Sequence, residues 1–422
     1  MDWGTLLRTV MYQFRELFGS QNFVHFCAYL WGLLLCEGRH TVTGIYLASA
    51  CQSRYWSLLK FLGRARWDQG KVVQRLLALL LGYIPTPIYV YDHTHAVKTG
   101  KKQAGLHFFR NHRYRKRNTN QSKFHWGHEF AALGLLALTG GVCSLFPLWV
   151  KMLMPGAHSA LEAFDQLLAL VPPGLIIFDR GFNNRKYFKR LLKRRHHLLC
   201  RARSNMVFYY LPEAHEQPRR GRKRIYGNRA DFRHWRYASY KIEVFDEPVE
   251  IAQQIVRSRS CPEPVRLVVR RTRPQPHQPY RYFLVYTTDL SLSVETIMTY
   301  YKRRWTFETG LHDSKESFGF DHYQVRSTQA IERHVQLSFV AASLIQLLAL
   351  PAFVKHRGQG LPALTQALAA MNIHWYAPTR WTLGLILRYL KWTGQTNTFS
   401  SSFVDPNIRQ KEETVPYHEA AG

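Results

Sequence analysis

Through the first 80 residues, apolar side chains recur at mixed intervals of three and four with few strand-like alternations, which predicts a helical N-terminal module. The texture changes at Pro85. The run Pro87-Ile88-Tyr89-Val90-Tyr91-Asp92 predicts a strand, followed by a basic loop and two apolar strands near residues 124–138 and 142–152. A helix over Ser159 to Leu170 comes next, then a strand over Gly174 to Asp179 whose unbroken apolar run is of the kind buried on both faces. Helix over Arg185 to His196 and strand over Leu198 to Arg203 complete the order of three strands, helix, strand, helix, strand. That order specifies a mixed α/β sheet. From about Ser204 to Leu290, Pro-, Arg- and Gln-rich loops alternate with short β-branched runs such as Val265-Arg266-Leu267-Val268-Val269, which predicts a strand-rich insertion. Helical texture returns from Val294 to about Leu350, and the polar residues from Ser401 onward predict a loose tail.

Two stretches of 20 residues carry no charge, Ala131 to Val150 and Val335 to Val354. Thr139-Gly140-Gly141 and Pro147 break the first into two buried strands joined by a turn. Gln336, Ser338, Ser343, Gln346 and Pro351 mark the second as a buried helix, so neither reads as a membrane span. Met1 to Leu30 is broken by Asp2, Arg8, Arg15 and Glu16, unlike a signal peptide, and the expected compartment is the cytoplasm. The six cysteines lie far apart and read as reduced core thiols.

Charge narrows the function. The 422 residues hold 58 Lys and Arg against 28 Asp and Glu, a formal charge of +30, with 46% hydrophobic residues to build a core. Such a surface favours a polyanion, and nucleic acid is the commonest one. Thr41-Val42-Thr43-Gly44 followed by the basic aromatic stretch Arg54 to Trp67 suits a helix-turn-helix in outline, with Arg54, Arg64 and Arg66 as candidate DNA contacts. An ordinary helical hairpin with a solvated basic face accounts for the same residues. The cluster Arg219-Arg220-Gly221-Arg222-Lys223-Arg224 likewise reads as a solvated loop or as a phosphate contact through Arg222 and Lys223.

Candidate chemistry rests on three carboxylates. Asp92 and Asp179 each stand where an apolar strand gives way to a polar loop, and in an open α/β sheet the ligand crevice lies beyond the carboxyl ends of strands. In the stretch Tyr300 to Lys315, residues Tyr301, Arg304, Glu308 and Lys315 are separated by three, four and seven. On one continuous helix they fall within an arc of roughly 60°, so a single face carries a carboxylate, two cations and a phenol. A basic chain with carboxylates able to hold Mg²⁺ suits phosphoryl transfer.

The sequence resembles the RNase H-like DDE transposases of bacterial insertion sequences, whose signature Y-x2-R-x3-E-x6-K is matched in full by Tyr301, Arg304, Glu308 and Lys315. The likeness extends to Asp92-His93-Thr94 with Lys98 and Gly100, and to Asp179-Arg180-Gly181-Phe182, and covers roughly residues 40 to 350. It implies a transposase that cleaves element ends and joins them to target DNA. Asp92, Asp179 and Glu308 would bind two Mg²⁺ ions, with Mn²⁺ able to substitute. Tyr301 and Arg304 would contact terminal phosphates and Lys315 would steady the transferred end, with Lys98 a further DNA contact. His93 departs from the pattern, since many relatives carry a second Asp there. His125-Trp126-Gly127-His128-Glu129 also resembles a segment of these proteins, and its His-x2-His spacing reads as strand packing in preference to a zinc site.

The expected fold is α/β, an RNase H-like mixed sheet flanked by helices, with a helical N-terminal domain and a strand-rich insertion. Expected boundaries are 1–80 for a helical DNA-binding domain, 81–203 and 291–355 for the two parts of the catalytic core, 204–290 for the insertion, and 356–422 for a C-terminal helical region and tail. Double-stranded DNA is the expected partner, bound by a homodimer in the bacterial cytoplasm at the nucleoid, with no membrane association. Alternative functions are a stand-alone metal-dependent nuclease of the same fold and an inactive, transposase-derived DNA-binding regulator.

Overall fold

The computed structural model describes residues 2–396, apart from 50, 52, 112–113, 115–121, 140, 157–158, 204, 219, 274 and 276. The expected tail from Ser401, Gly140 of the expected turn and Arg219 of the basic cluster lie outside the described residues. Five N-terminal helices come first: α1 (Trp3–Tyr12), α2 (Ser20–Leu35), α3 (Val42–Ala48), α4 (Tyr55–Gly63) and α5 (Gln69–Leu81). Then follow β1 (Ile88–Val97), β2 (His107–Arg110), β3 (Phe124–Thr139), β4 (Val142–Leu153), α6 (Ser159–Leu170), β5 (Leu175–Phe178), α7 (Arg185–Lys193) and β6 (His197–Arg201). The insertion supplies β7 (Phe208–Tyr209), β8 (Ala238–Tyr240), β9 (Val249–Ser258), β10 (Cys261–Thr272) and β11 (Arg281–Thr287). The chain then forms α8 (Val294–Arg303), α9 (Thr306–Phe318), α10 (Thr328–Leu348), α11 (Pro351–His356), α12 (Leu361–Ala370) and α13 (Leu383–Thr396). The architecture is an α/β fold of the RNase H-like kind, with a mixed sheet, a helical N-terminus and a strand-rich stretch between β6 and α8.

The chain divides into two compact units. The second holds Pro87–Asp92 and Phe164–Thr306. In it the first half of β1, β5 and β6 run parallel in register, with Tyr91 opposite Phe178 and Phe178 opposite Cys200. β11 adds antiparallel to β6, then β10 to β11 and β9 to β10, while β7 and β8 both pair with β9. Leu175 to Phe178 are buried, as a central strand covered on both faces requires. Tyr91 lies edge-on to Phe164, Phe178 and Phe182, with centroids 5.0, 5.9 and 5.1 Å away. This aromatic cluster fixes one face of β1 just before Asp92.

The first unit comprises the described residues of Met1–Thr86, His93–Ala163 and Phe307–Gly422. Its β3 and β4 form the hairpin that the charge-free stretch and its glycines predict, closed by Gly141 at φ +72°. Among the described strands β4 pairs with β3 alone, so its other edge must satisfy its backbone elsewhere. Helix α10 does this with side chains. Gln336 donates to Leu148 O and accepts from Val150 N, Ser343 donates to Pro147 O, and Glu332 accepts from Met152 N and Lys151 Nζ. Two of the polar residues that mark this apolar helix as non-membranous, Gln336 and Ser343, thus help close a sheet edge. No helix among the described residues is long and apolar enough to cross a membrane.

Two expectations change. Strand β1 does not end at Asp92 but runs to Val97, because beyond Asp92 it finds a new neighbour in β3, with Lys98 N bonded to Trp126 O at 2.9 Å. The basic aromatic helix ends at Gly63 and does not reach Trp67. Arg64 N and Ala65 N both close on Lys60 O, and Trp67 turns inward to stack on Phe61 at 5.3 Å.

Candidate active site

In a parallel pair held in register, equivalent residues point to the same face. Tyr91 and Phe178 are opposite one another and meet in the core, so the next residue on each chain, Asp92 and Asp179, turns to the other face. Their backbones lie roughly one interstrand spacing, about 5 Å, apart. Both side chains are partly exposed. Beneath them Cys200 Sγ approaches Asp179 O at 3.7 Å, and burial pushes its thiol up.

Helix α8 brings two signature residues to this pair. Tyr301 OH donates to Asp179 Oδ1 at 3.3 Å, and Arg304 Nη1 lies 3.5 Å from Asp92 Oδ2. Both side chains are buried, and burial pushes the Tyr301 phenol up so that it stays a donor. A buried guanidinium is expensive without a counter-charge, and Asp92 provides one.

The four signature residues do not share one uninterrupted helix. The chain turns at Arg304–Trp305, where Arg304 N is shared between Tyr300 O and Tyr301 O, a tightening common at helix ends. Tyr301 and Arg304 therefore belong to α8 and its cap in the second unit, and Glu308 and Lys315 to α9 in the first. The reason is packing. Helix α9 seats Phe307 and Gly310 close against Gly134 and Leu145 of the β3–β4 hairpin, while Arg304 is tied to β1. Glu308 is exposed in the first turn of α9, and Lys315 Nζ donates to His95 O at 2.8 Å.

The other candidate contacts divide. Arg54, Arg64, Arg66, Arg222 and Lys223 are exposed. Lys98 is turned inward, donating to the carbonyls of Asp321 and Tyr323 and lying 3.5 Å from the Tyr323 ring centroid, and burial lowers its pKa to about 8. His128 is fully buried with its nitrogens on Tyr323 OH and Ala104 O, and burial lowers its pKa to about 4. Among the described residues no group of three or more His, Cys, Asp or Glu side chains is gathered that could hold a metal ion. One constellation is invisible to motif reading: Glu129 collects His93, His95 and His107, residues spread over three strands that only sheet pairing brings together.

Residues 86–344 match the family model described as Transposase DDE domain, which spans more than half of the chain. The chain belongs to the DDE transposases. Residues 13–138 match a second model, described as DDE superfamily endonuclease. No curated protein matches the chain. The transposase is accordingly an enzyme of the DNA-cleaving kind, from a family that generally uses divalent metal ions, and its substrate is DNA.

Proposed function

We propose that the chain cleaves the ends of an insertion sequence and joins them to target DNA, with Asp92, Asp179 and Glu308 holding two Mg²⁺ ions. The observation that carries this reading is the side-by-side emergence of Asp92 and Asp179 from adjacent parallel strands, each touched by a signature residue of α8. Two carboxylates on one face suit a hard divalent cation that prefers oxygen ligands. Glu308, exposed on α9, is the third ligand in this reading. When bound, such ions activate an attacking oxygen and neutralise the leaving one.

The chain's own residues prepare that chemistry. Arg304 orients Asp92, and its planar fork of five donors can hold a phosphate oxygen as well. Tyr301 fixes the Asp179 carboxylate. Lys315 offers an ammonium with three donors, enough for the His95 carbonyl and a DNA phosphate together. The active complex in this reading is a homodimer on DNA, acting at the bacterial nucleoid. The test is incubation of purified protein with labelled element-end duplex and Mg²⁺ or Mn²⁺: cut and joined products are expected, and their absence with both metals would refute the reading.

Sequence recognition is assigned to the exposed cations around α4. Residues 1–80 cannot simply be deleted to test this, because Tyr29 and the carbonyls after α4 are bonded into α10. Replacing Arg54, Arg64 and Arg66 together by alanine is the cleaner test. It is expected to lower the preference for element ends over random duplex by about tenfold or more, since base contacts are worth about 1–3 kcal/mol each. Competition binding at fixed salt measures it, and an unchanged preference would move recognition elsewhere.

A further inference from the structure

The Glu129 carboxylate joins three strands of the first unit. Its Oε1 lies 3.2 Å from His93 Nδ1 and 3.5 Å from His95 Nε2, both on β1, and its Oε2 lies 3.9 Å from His107 Nε2 on β2. The side chain is only about a quarter exposed, at 27%. Bonds from His93 and then His95 hold its carboxyl well below the usual range, so it stays an ionised acceptor. His93 and His95 alternate with Thr94 and therefore share one face of β1. The His95 ring is also stacked on Phe109 of β2, with centroids 4.4 Å apart and planes 20° apart. β3 lies so close to β1 here that a Cβ on Gly127 would collide with the Ala96 carbonyl. The backbone carbonyl of His95, in this clamped stretch, is the one that receives the Lys315 ammonium at 2.8 Å.

We propose that Glu129 is a positioning residue that acts through Lys315: by holding the His93 and His95 rings it fixes the β1 backbone, and with it the carbonyl that aims the signature lysine. A purely structural carboxylate would need no such partner. This one bonds the residue whose backbone carries a cation of the proposed DNA grip. Removing it leaves Lys315 chemically intact but lets its His95 carbonyl acceptor shift with the β1 backbone, so the ammonium is aimed less well at the phosphate. The inference rests on the reading of Lys315 as a DNA-end contact.

The test is a double-mutant cycle between Glu129→Ala and Lys315→Ala, using the full chain, element-end duplex and Mg²⁺, with metal-free end binding measured over a salt series. Glu129→Ala is expected to lower end joining about tenfold or more, to lower the salt slope of binding by about one as loss of a phosphate contact does, and to leave the unfolding midpoint nearly unchanged. Combined with Lys315→Ala it should add little, because both remove one interaction. Glu129→Gln keeps a carbonyl acceptor for the imidazoles and should restore most of the joining. Should Glu129→Ala not fold, His95→Phe keeps the stack on Phe109, loses the bond to Glu129, and is expected to give the same coupling. Multiplicative losses in the cycle, or a joining defect equal to the loss of folded protein, would overturn the proposal. Failure of the unmodified protein to join ends, together with an unchanged salt slope in Lys315→Ala, would overturn the function proposed above and this inference with it.

Discussion

Asp179→Ala is expected to lower Mg²⁺-dependent cleavage of element ends by about three orders of magnitude, since a lost metal ligand removes several kcal/mol of transition-state stabilisation and each 1.36 kcal/mol is tenfold. The protein should remain folded. Asp179 stands just outside the buried run Leu175 to Phe178, and its side chain, partly exposed, carries none of that strand's apolar packing. Removing a negative charge from a chain of net charge +30 cannot weaken attraction to DNA, so end binding should hold or rise. Asp179→Asn sharpens the test. It can still accept from Tyr301 OH, which now donates to Oδ1 at 3.3 Å, but it offers a neutral oxygen to a cation. If the carboxylate served only to anchor Tyr301, Asn would be nearly as active as Asp. Single-turnover cleavage with parallel binding measurements separates the two, and cleavage by Asp179→Ala within tenfold of the unmodified protein would remove Asp179 from the site.

What was legible in the sequence follows from how each feature is encoded. Contiguous runs were clear: the β3–β4 hairpin declared itself by an uncharged stretch with glycines at its turn, and α10 from Val335 onward by uncharged residues interrupted by a few polar ones. The placing of the two aspartates side by side was legible because each follows a short apolar run, Ile88 to Tyr91 and Leu175 to Phe178, and these runs pair in register. The continuation of β1 was not, since His93-Thr94-His95-Ala96 reads as a polar loop. Its inward positions, Thr94 and Ala96, are too small or too polar to register as a hydrophobic alternation, although both are buried. The break at Arg304–Trp305 was hidden for the opposite reason. Helical spacing persists across it, and only tertiary ties, Arg304 to Asp92 and Phe307 to Gly134, divide the helix. Charge was the least transparent quantity. Arg304, Arg333 and Lys98 all count toward a basic surface, yet each is held by acceptors within its own unit.

Arg333→Ala is the substitution expected to cost most in stability, about 3–5 kcal/mol, since it leaves several buried carbonyls without a donor and each costs about 1–3 kcal/mol. A helix ends with carbonyls that have no intrahelical partner, and a buried end must find them donors. Helix α4 is such a case. Lys60 O is taken by Arg64 N and Ala65 N, and the following carbonyls turn to Arg333, which is itself buried at 3% exposure. Its Nη1 donates to Phe61 O, Leu62 O and Ala65 O at 3.3, 3.0 and 2.9 Å, and its Nη2 to Trp67 O at 2.7 Å. The guanidinium carbon also lies 4.3 Å from the centroid of the Trp67 ring. Burial lowers the Arg333 pKa from its ordinary value, with Asp68 opposing, but guanidinium stays charged at any physiological pH. The positive group thus meets the negative end of the α4 dipole, which repays part of its desolvation. Arg333→Lys should recover only part of the loss, because one ammonium cannot span four carbonyls that a planar fork reaches from two nitrogens. Arg333→Met fills much of the volume and should recover still less, since the carbonyls stay unbonded. Loosening α4 should also lower the preference for element ends, as Arg54 and Arg64 flank that helix. Urea unfolding of the three variants measures the ranking. An Arg333→Ala protein within about 1 kcal/mol of the unmodified chain would mean that water replaces the guanidinium at the end of α4, and that the N-terminal helices are held by their other contacts.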